Sequence, residues 1–241
     1  SFLYHPKRHL LHIGYRVDDH VLDTTFYDLL ASESRMTSLL AIAKGDVPVA
    51  HWAALGRPYF AVGSLAGLRS WSGSMFEYLM PSLVLREPEG SALREAGKAA
   101  VREHIAIFCA DTQPGELLAL RKLALLWMGR LRPLRPFLTG AVWHGTATRL
   151  TDVWLQVFCD DAKAAELWLI NHGQRYDVGT TKGFKGELVD VLSLSVPCPD
   201  LGEDIGVHLV VYDLDDLKGA LRPDSQGRKP RGDEAAVAHL V

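Results

Sequence analysis

Apolar positions divide the chain into two stretches of different period. In the first, Phe26, Leu29, Leu30, Leu39, Leu40 and Ile42 recur at helical spacing. They predict a helix capped by Thr24 or Thr25 and running to about Lys44, with Gly45 as its stop and Pro48 just beyond. A shorter helix is predicted over Val49–Leu55. A loop follows, Arg57–Ser74, holding Gly63, Gly67 and Gly73 with Tyr59, Phe60 and Trp71, and then a helix from Met75 to Leu85 that contains Pro81. Ser91–Ile107 and Pro114–Leu131 are helical by propensity, and Pro114 suits a first turn. Beyond them the pattern shifts to short β-branched and aromatic runs. Phe137–Trp143, Val153–Phe158, Leu188–Val196 and Val207–Tyr212 read as strands, with a helix at Asp160–His172 among them. Arg222–Asp233 reads as a flexible, basic connector. A change of class near residue 100 predicts separate domains, with bounds at 1–93, 94–221 and a terminal 222–241 of linker and short helix.

Composition narrows the function classes. Hydrophobic content of 48% and charge of 23% describe an ordinary globular protein. A net charge of −3 argues against whole-surface attraction to nucleic acid or anionic membrane, so no DNA partner is expected. Charge is uneven, however: Leu117–Thr151 carries Arg121, Lys122, Arg130, Arg132, Arg135 and Arg149 and no acid. That block reads as a phosphate-facing surface or as a solvated helix face with loop arginines. Cys109, Cys159 and Cys198 are an odd, widely spaced set without a CxxC pair, which points to a reducing, cytoplasmic setting rather than a disulfide or zinc framework. No apolar run approaches the roughly 20 residues of a membrane helix. The opening Ser-Phe-Leu-Tyr-His-Pro reads as the middle of a longer chain.

Glycoside chemistry needs two carboxylates flanking one bond, and sugar rings stack on aromatic faces. Glu77, between Phe76 and Tyr78 after a glycine-containing turn, is the candidate acid, its pKa open to elevation by the aromatics. The alternative is a helix-dipole partner in a first turn. Trp71, Tyr78 and Trp52 offer stacking faces, and Arg57 joins Trp71 and Tyr78 as a substrate-binding candidate. Glu33 and Arg35 read as a structural ion pair or inner-face polar contact, and Asp18 and Asp19 as turn residues.

Leu11–Tyr15, Tyr27–Arg35, Ala41–Pro48 and Ser70–Pro81 (SWSGSMFEYLMP) closely resemble the glycoamylase-like domain of cyclic β-1,2-glucan synthases, over roughly residues 1–93. The resemblance implies an all-α fragment of an (α/α) barrel whose inner helix ends bind a β-1,2-glucan or oligosaccharide. It also implies cutting and rejoining of the chain by carboxylates, in a parent enzyme associated with the inner membrane. A twelve-helix barrel needs on the order of 240 residues, and ninety supply about four helices with no second carboxylate. The fragment is therefore expected to be inactive, with an exposed helical face that seeks partners or oligomerises.

In the second stretch, TGAVWHGTATRLTDVWLQVF over 139–158 resembles, weakly, the nucleotidyltransferase fold of the DNA polymerase β superfamily. That fold is α/β (α+β), with paired strand carboxylates sharing magnesium and a glycine turn offering N–H groups to a triphosphate. The resemblance maps the turn to Gly145 and Thr146, the first carboxylate to Asp152 and the third to Asp190. Trp154 stands where the second carboxylate belongs. No cofactor is expected, and magnesium enters only if nucleotide binding survives; otherwise Asp152 simply starts a strand. Gly179–Gly186 reads as a mobile hairpin loop, with Lys182 and Lys185 facing an anion at most. His5, His9 and His12 are not expected to bind metal, His144 is the histidine to watch, and Asp213, Asp215 and Asp216 read as a helix cap.

The chain is thus expected to be a truncated glucan-cutting, transglycosylating domain joined to a nucleotidyltransferase-like domain, by natural fusion or as a chimeric reading frame, with little or no catalysis. The alternatives are a non-catalytic nucleotide- or partner-binding α/β protein and a glucan-binding module.

Overall fold

A computed structural model describes residues 2–62, 65–88, 90–223 and 227–241. Gly63 of the predicted loop and residues 224–226 of the predicted connector lie outside them. The chain forms two compact units, Ser1–Ile107 and Phe108–Val241.

Unit 1 is not all-helical. Its first third is short strands: β1 (Tyr4–His5), β2 (Leu10–His12), β3 (Tyr15–Arg16), β4 (Val21–Leu22) and β5 (Phe26–Tyr27). β1, β2 and β5 make an antiparallel sheet in that order, and β3 pairs with β4. His5, His9 and His12 therefore lie on two strands and their connection, not on a helix. Asp18 and Asp19 sit in the turn between β3 and β4.

The long helix predicted from Thr24 is reduced to α1 (Arg35–Ala43). Upstream of it, other bonds claim the backbone. Tyr27 and Phe26 pair with Leu11 and His12, and Leu30 N–H donates to Gly56 O at 3.0 Å while Gly56 N–H donates to Asp28 O at 2.6 Å. Ser34 N–H donates to Ser32 Oγ at 3.3 Å, a local bond that competes with helix formation. After α1 come α2 (Ala50–Ala54), the hairpin β6 (Tyr59–Val62) and β7 (Leu65–Leu68), α3 (Met75–Leu79) continued by a 3₁₀ turn over Met80–Leu83, and α4 (Ala92–Phe108). Gly67 is required where β7 crosses α4: a Cβ there would lie 3.0 Å from Ala96 Cα. The core is Leu30, Ala31, Leu55, Leu68, Tyr78, Ala96 and Ala100.

Unit 2 opens with α5 (Gln113–Arg130), whose Pro114 is in the first turn. It continues through β8 (Phe137–Thr139), α6 (Gly140–His144), β9 (Val153–Cys159), α7 (Ala164–Asn171), β10 (Asp177–Lys182), β11 (Leu188–Cys198), β12 (Glu203–Asp213), α8 (Leu217–Ala220) and α9 (Glu234–Ala238). The sheet order is β10-β11-β12-β9-β8, with β12 and β9 parallel and the other pairs antiparallel. The mixed α/β class expected for this half is what the structure contains.

Three expectations change here. The strand predicted to Trp143 ends at Thr139, because Gly140 turns the chain at φ +72° into α6. The first part of Gly179–Gly186, read as a loop, belongs to the edge strand β10, fully paired to β11 over Asp177–Lys182. The connector is pinned at its end: Gly232 and Leu138 exchange both backbone bonds at 2.9 Å. The Trp143 ring fills the space a Cβ at position 232 would need, and Arg231 is buried. Beyond it, Asp233 caps α9 and Val237 enters the main core.

That core lies on one sheet face, where Leu155, Val157, Leu192, Leu194, Val207 and Leu209 meet Leu120, Leu123, Trp127 and Met128 of α5 and Leu169 of α7. Alternation sends the neighbouring residues to the other face. There Phe158, Val191, Val210 and Tyr212 gather under Ala220 of α8, while the far end of the face remains polar.

Candidate functional site

In unit 1 the loop before α3 is organised by Glu77. Its carboxylate accepts from Ser70 Oγ at 3.1 Å, Trp71 N–H at 2.9 Å, Ser72 N–H at 3.0 Å, Ser74 N–H at 3.2 Å and Ser74 Oγ at 3.1 Å, and also from Ser72 Oγ. Ser74 caps the helix in return, completing a capping box. Burial pushes the Glu77 carboxyl up, but the bonds from Ser72 and Ser74 outweigh it and hold the group below its ordinary value. This is the reverse of the elevation expected from the flanking aromatics. An ionised carboxylate whose lone pairs are all engaged has no proton to give, so Glu77 is a structural anion.

The other unit 1 candidates separate by exposure. Tyr78 is buried, and its hydroxyl accepts from Ser70 N–H at 3.0 Å, so its ring has no face for a sugar. Arg57 donates to the carbonyls of Trp52 at 2.9 Å and Leu55 at 2.6 Å and closes the end of α2. Arg35 is buried, yet its ion-pair partner is Glu87 at 2.6 Å rather than Glu33. It also donates to the carbonyls of Ser32, Glu77 and Tyr78. Trp71 is different. The indole is 43% exposed, donates to Asp28 Oδ1 at 3.1 Å and stacks on Tyr27 with centroids 5.8 Å apart and planes 25° apart. A fixed aromatic plate at the surface is suited to a pyranose face. Tyr27 lay unmarked within the sequence motif, and its pairing with Trp71 depends on β5, which the helical pattern concealed.

In unit 2 the two carboxylates mapped by resemblance do not come together. Asp152 and Asp190 belong to opposite faces of the sheet. Asp190 shares parity with Leu192 and Leu194 on the core face, whereas Asp152 precedes Trp154 on the other. They share no metal, and among the described residues no group of three or more His, Cys, Asp or Glu is placed to hold one. The Gly145–Thr146 turn is also closed, because both N–H groups donate to Ala141 O as the end of α6, leaving neither for a phosphate. Nor is the basic block a free phosphate surface: Lys122 pairs with Asp200, Arg132 with Glu234 and Arg149 with Glu203. Within the same block Arg121 donates to Val142 O, and Arg130 lies over Trp127. Lys185 bonds to Asp216, and Asp213 caps the turn before α8 as expected.

Asp152 instead joins residues the sequence did not single out. The strand register aligns Asp177, Ser193, His208 and Trp154 in one row across β10, β11, β12 and β9. His208 Nε2 lies 3.1 Å from Asp152 Oδ2 and Nδ1 lies 2.9 Å from Ser193 Oγ. Trp154 stacks on the imidazole at 4.3 Å, and Gly206 N–H donates to Asp152 Oδ1 at 3.2 Å. Cross-strand alignment alone creates this chain, and no local motif announces a register.

Comparison with known proteins places part of the chain. Over 105 residues it is 57% identical to the cyclic beta-(1,2)-glucan synthase NdvB of Rhizobium meliloti (strain 1021). Those residues are 44% of this chain but 4% of that protein. A stretch of the chain is therefore homologous to a small part of a glucan synthase. No family model matches. Among solved structures, the Cid1 poly(U) polymerase with MgGTP overlaps at a TM-score of 0.29 and 14% identity, covering 40% of this chain and 32% of that one. A cytoplasmic RNA terminal U-transferase gives 0.28 and 16%, covering 40% and 30%. At those scores the overlaps carry no argument about chemistry. No described helix is long and apolar enough to cross a membrane.

Proposed function

We propose that unit 1 is a carbohydrate-binding remnant of the glucan-processing region of cyclic β-1,2-glucan synthases, holding a β-1,2-glucan segment on the Tyr27–Trp71 plate without cutting it. The observation that carries this reading is Trp71, an exposed indole locked by a stack and a hydrogen bond. A preorganised aromatic loses little rotamer freedom on binding. The identity to NdvB supports the choice of glucan. The Glu77 carboxylate, engaged by Trp71 and by the serines at 70, 72 and 74, supports binding over cleavage. This reading keeps the glucan-binding module and sets aside the transglycosylating one.

Calorimetric titration of the whole chain with linear β-1,2-glucooligosaccharides tests it. Binding is expected for these over β-1,4-linked ones, and is lost in Trp71→Ala and weakened in Tyr27→Ala. Absence of heat with every glucan overturns the reading. Release of shortened oligosaccharides, abolished in Glu77→Gln, would return the cutting assignment instead.

A further inference from the structure

The chain of Asp152, His208 and Ser193 is unused by the glucan reading, and it joins an imidazole from β12, a hydroxyl from β11 and a carboxylate from the residue just before β9. A carboxylate oxygen accepts, so in the neutral imidazole the 3.1 Å contact suits the tautomer with its proton on Nε2 of His208. Nδ1 is then the acceptor for the Ser193 hydroxyl 2.9 Å away. This is the order in which a base takes a proton from a nucleophile while an acid group steadies the cation that forms. A Cβ at Gly206 would lie 2.6 Å from Asp152 Oδ1, so the carboxylate occupies the space a side chain at 206 would take. Trp154 covers one face of the ring, Asp152 is half-exposed, and Asp177 and Ser195 beside Ser193 are exposed.

We propose that Ser193 is an acylatable nucleophile and that this end of the sheet hydrolyses small, neutral or cationic esters with good leaving groups. Ser193 Oγ bonds to the ester carbonyl carbon as its proton passes to Nδ1 of His208. The C–O bond to the leaving group breaks, and the alcohol departs with that proton. Water then adds to the acyl group, losing a proton to His208, and His208 returns that proton to Ser193 Oγ as the acyl C–O bond breaks and the acid product departs. Two limits on substrate follow from the fold. The backbone N–H groups of β11 and β12 are engaged in the ladder, so these strands offer no backbone oxyanion hole and the ester must be activated, as aryl esters are. Asp152 and Asp177 flank Ser193 and repel a negatively charged acyl donor.

The test treats the whole chain with a fluorophosphonate and, separately, with p-nitrophenyl acetate. One adduct per chain is expected, mapped by peptide mass to Ser193 and absent in Ser193→Ala. Labelling should fall at least ~100-fold in His208→Gln, the scale of general-base assistance. Asp152 is a positioning residue, and Asp152→Asn should slow labelling, with part of the rate restored in Asp152→Glu, which returns the carboxylate. Among aryl esters sharing a leaving group, the cationic one should react faster than the carboxylate-bearing one. No adduct, an adduct on another residue, or equal rates in His208→Gln overturns the proposal. Should His208→Gln fail to fold in a thermal melt, the near-isosteric Asp152→Asn decides, and an unchanged labelling rate overturns it.

Discussion

Both units hold a carboxylate in a hydrogen-bonded network, yet they use it differently. In unit 1 Glu77 accepts from backbone N–H groups and hydroxyls on every side, and Arg35 spreads its donors over three carbonyls and Glu87. These charges knit loops to helices. In unit 2 the Asp152–His208–Ser193 chain ends in a hydroxyl at a solvent-reached sheet face. The comparison teaches that a carboxylate is read by what remains open to it. One saturated by donors is a cap, whereas one feeding a histidine with a hydroxyl beyond it is arranged for proton movement. Substitution should rank the two kinds by their cost to folding.

The largest effect is expected at Arg35. Removing one partner of a buried pair leaves the other unpaired, at about 3–5 kcal/mol. Arg35→Ala strands Glu87 and three carbonyls, so unit 1 should unfold first in chemical denaturation followed by hydrogen exchange. Near-wild-type protection of unit 1 would show that its charges do not hold the loops. Glu77 comes next. Glu77→Gln keeps the shape but loses charge-assisted bonds, and should cost about 2–3 kcal/mol. Its folded pKa lies below its value in the unfolded chain, so its contribution is present above that unfolded value, about 4.3, and is lost as pH falls through the depressed folded one. The stability gap between wild type and Glu77→Gln should therefore narrow on acidification below about pH 4.3. A gap that widens there would restore the general-acid reading.

Trp71→Ala should cost only about 1 kcal/mol, the loss of one stack and one exposed bond, while removing glucan binding. A variant that unfolds unit 1 instead would make the plate a structural strut like Glu77.

The same contrast explains what the sequence made legible. Helices α4, α5 and α7 and strands β9, β11 and β12 were visible because each carries a run long enough for its period to show. The strands of β1–β5 were not, since two- and three-residue pairs contain no period at all. β10 was hidden by Gly179 and the threonines, which suit a loop equally well; only its ladder to β11 decides it. Glu77 was found as a chemically loaded residue, but its role turned on the serines at 70, 72 and 74 closing around it. The motif SWSGS had been read for glycine and tryptophan rather than for donors. Asp152 was found for a site that its own face forbids. His208 and Ser193 stand 15 positions apart, and they meet because the turn between β11 and β12 sets the register that opposes them.

The smallest effect on folding is expected at Ser193, and it bears hardest on the comparison. The hydroxyl is half-buried and makes one side-chain bond, to His208. Ser193→Ala should therefore change stability by about 1 kcal/mol or less. Were the Asp152–His208–Ser193 chain a strand clamp, its loss would weaken the β11–β12 pairing, and backbone exchange at Leu192, Leu194, Val207 and Leu209 would quicken. If the chain serves proton transfer, exchange at those residues stays near wild type while acylation disappears. Exchange and acylation measured on one variant thus separate a polar strut from a reactive site.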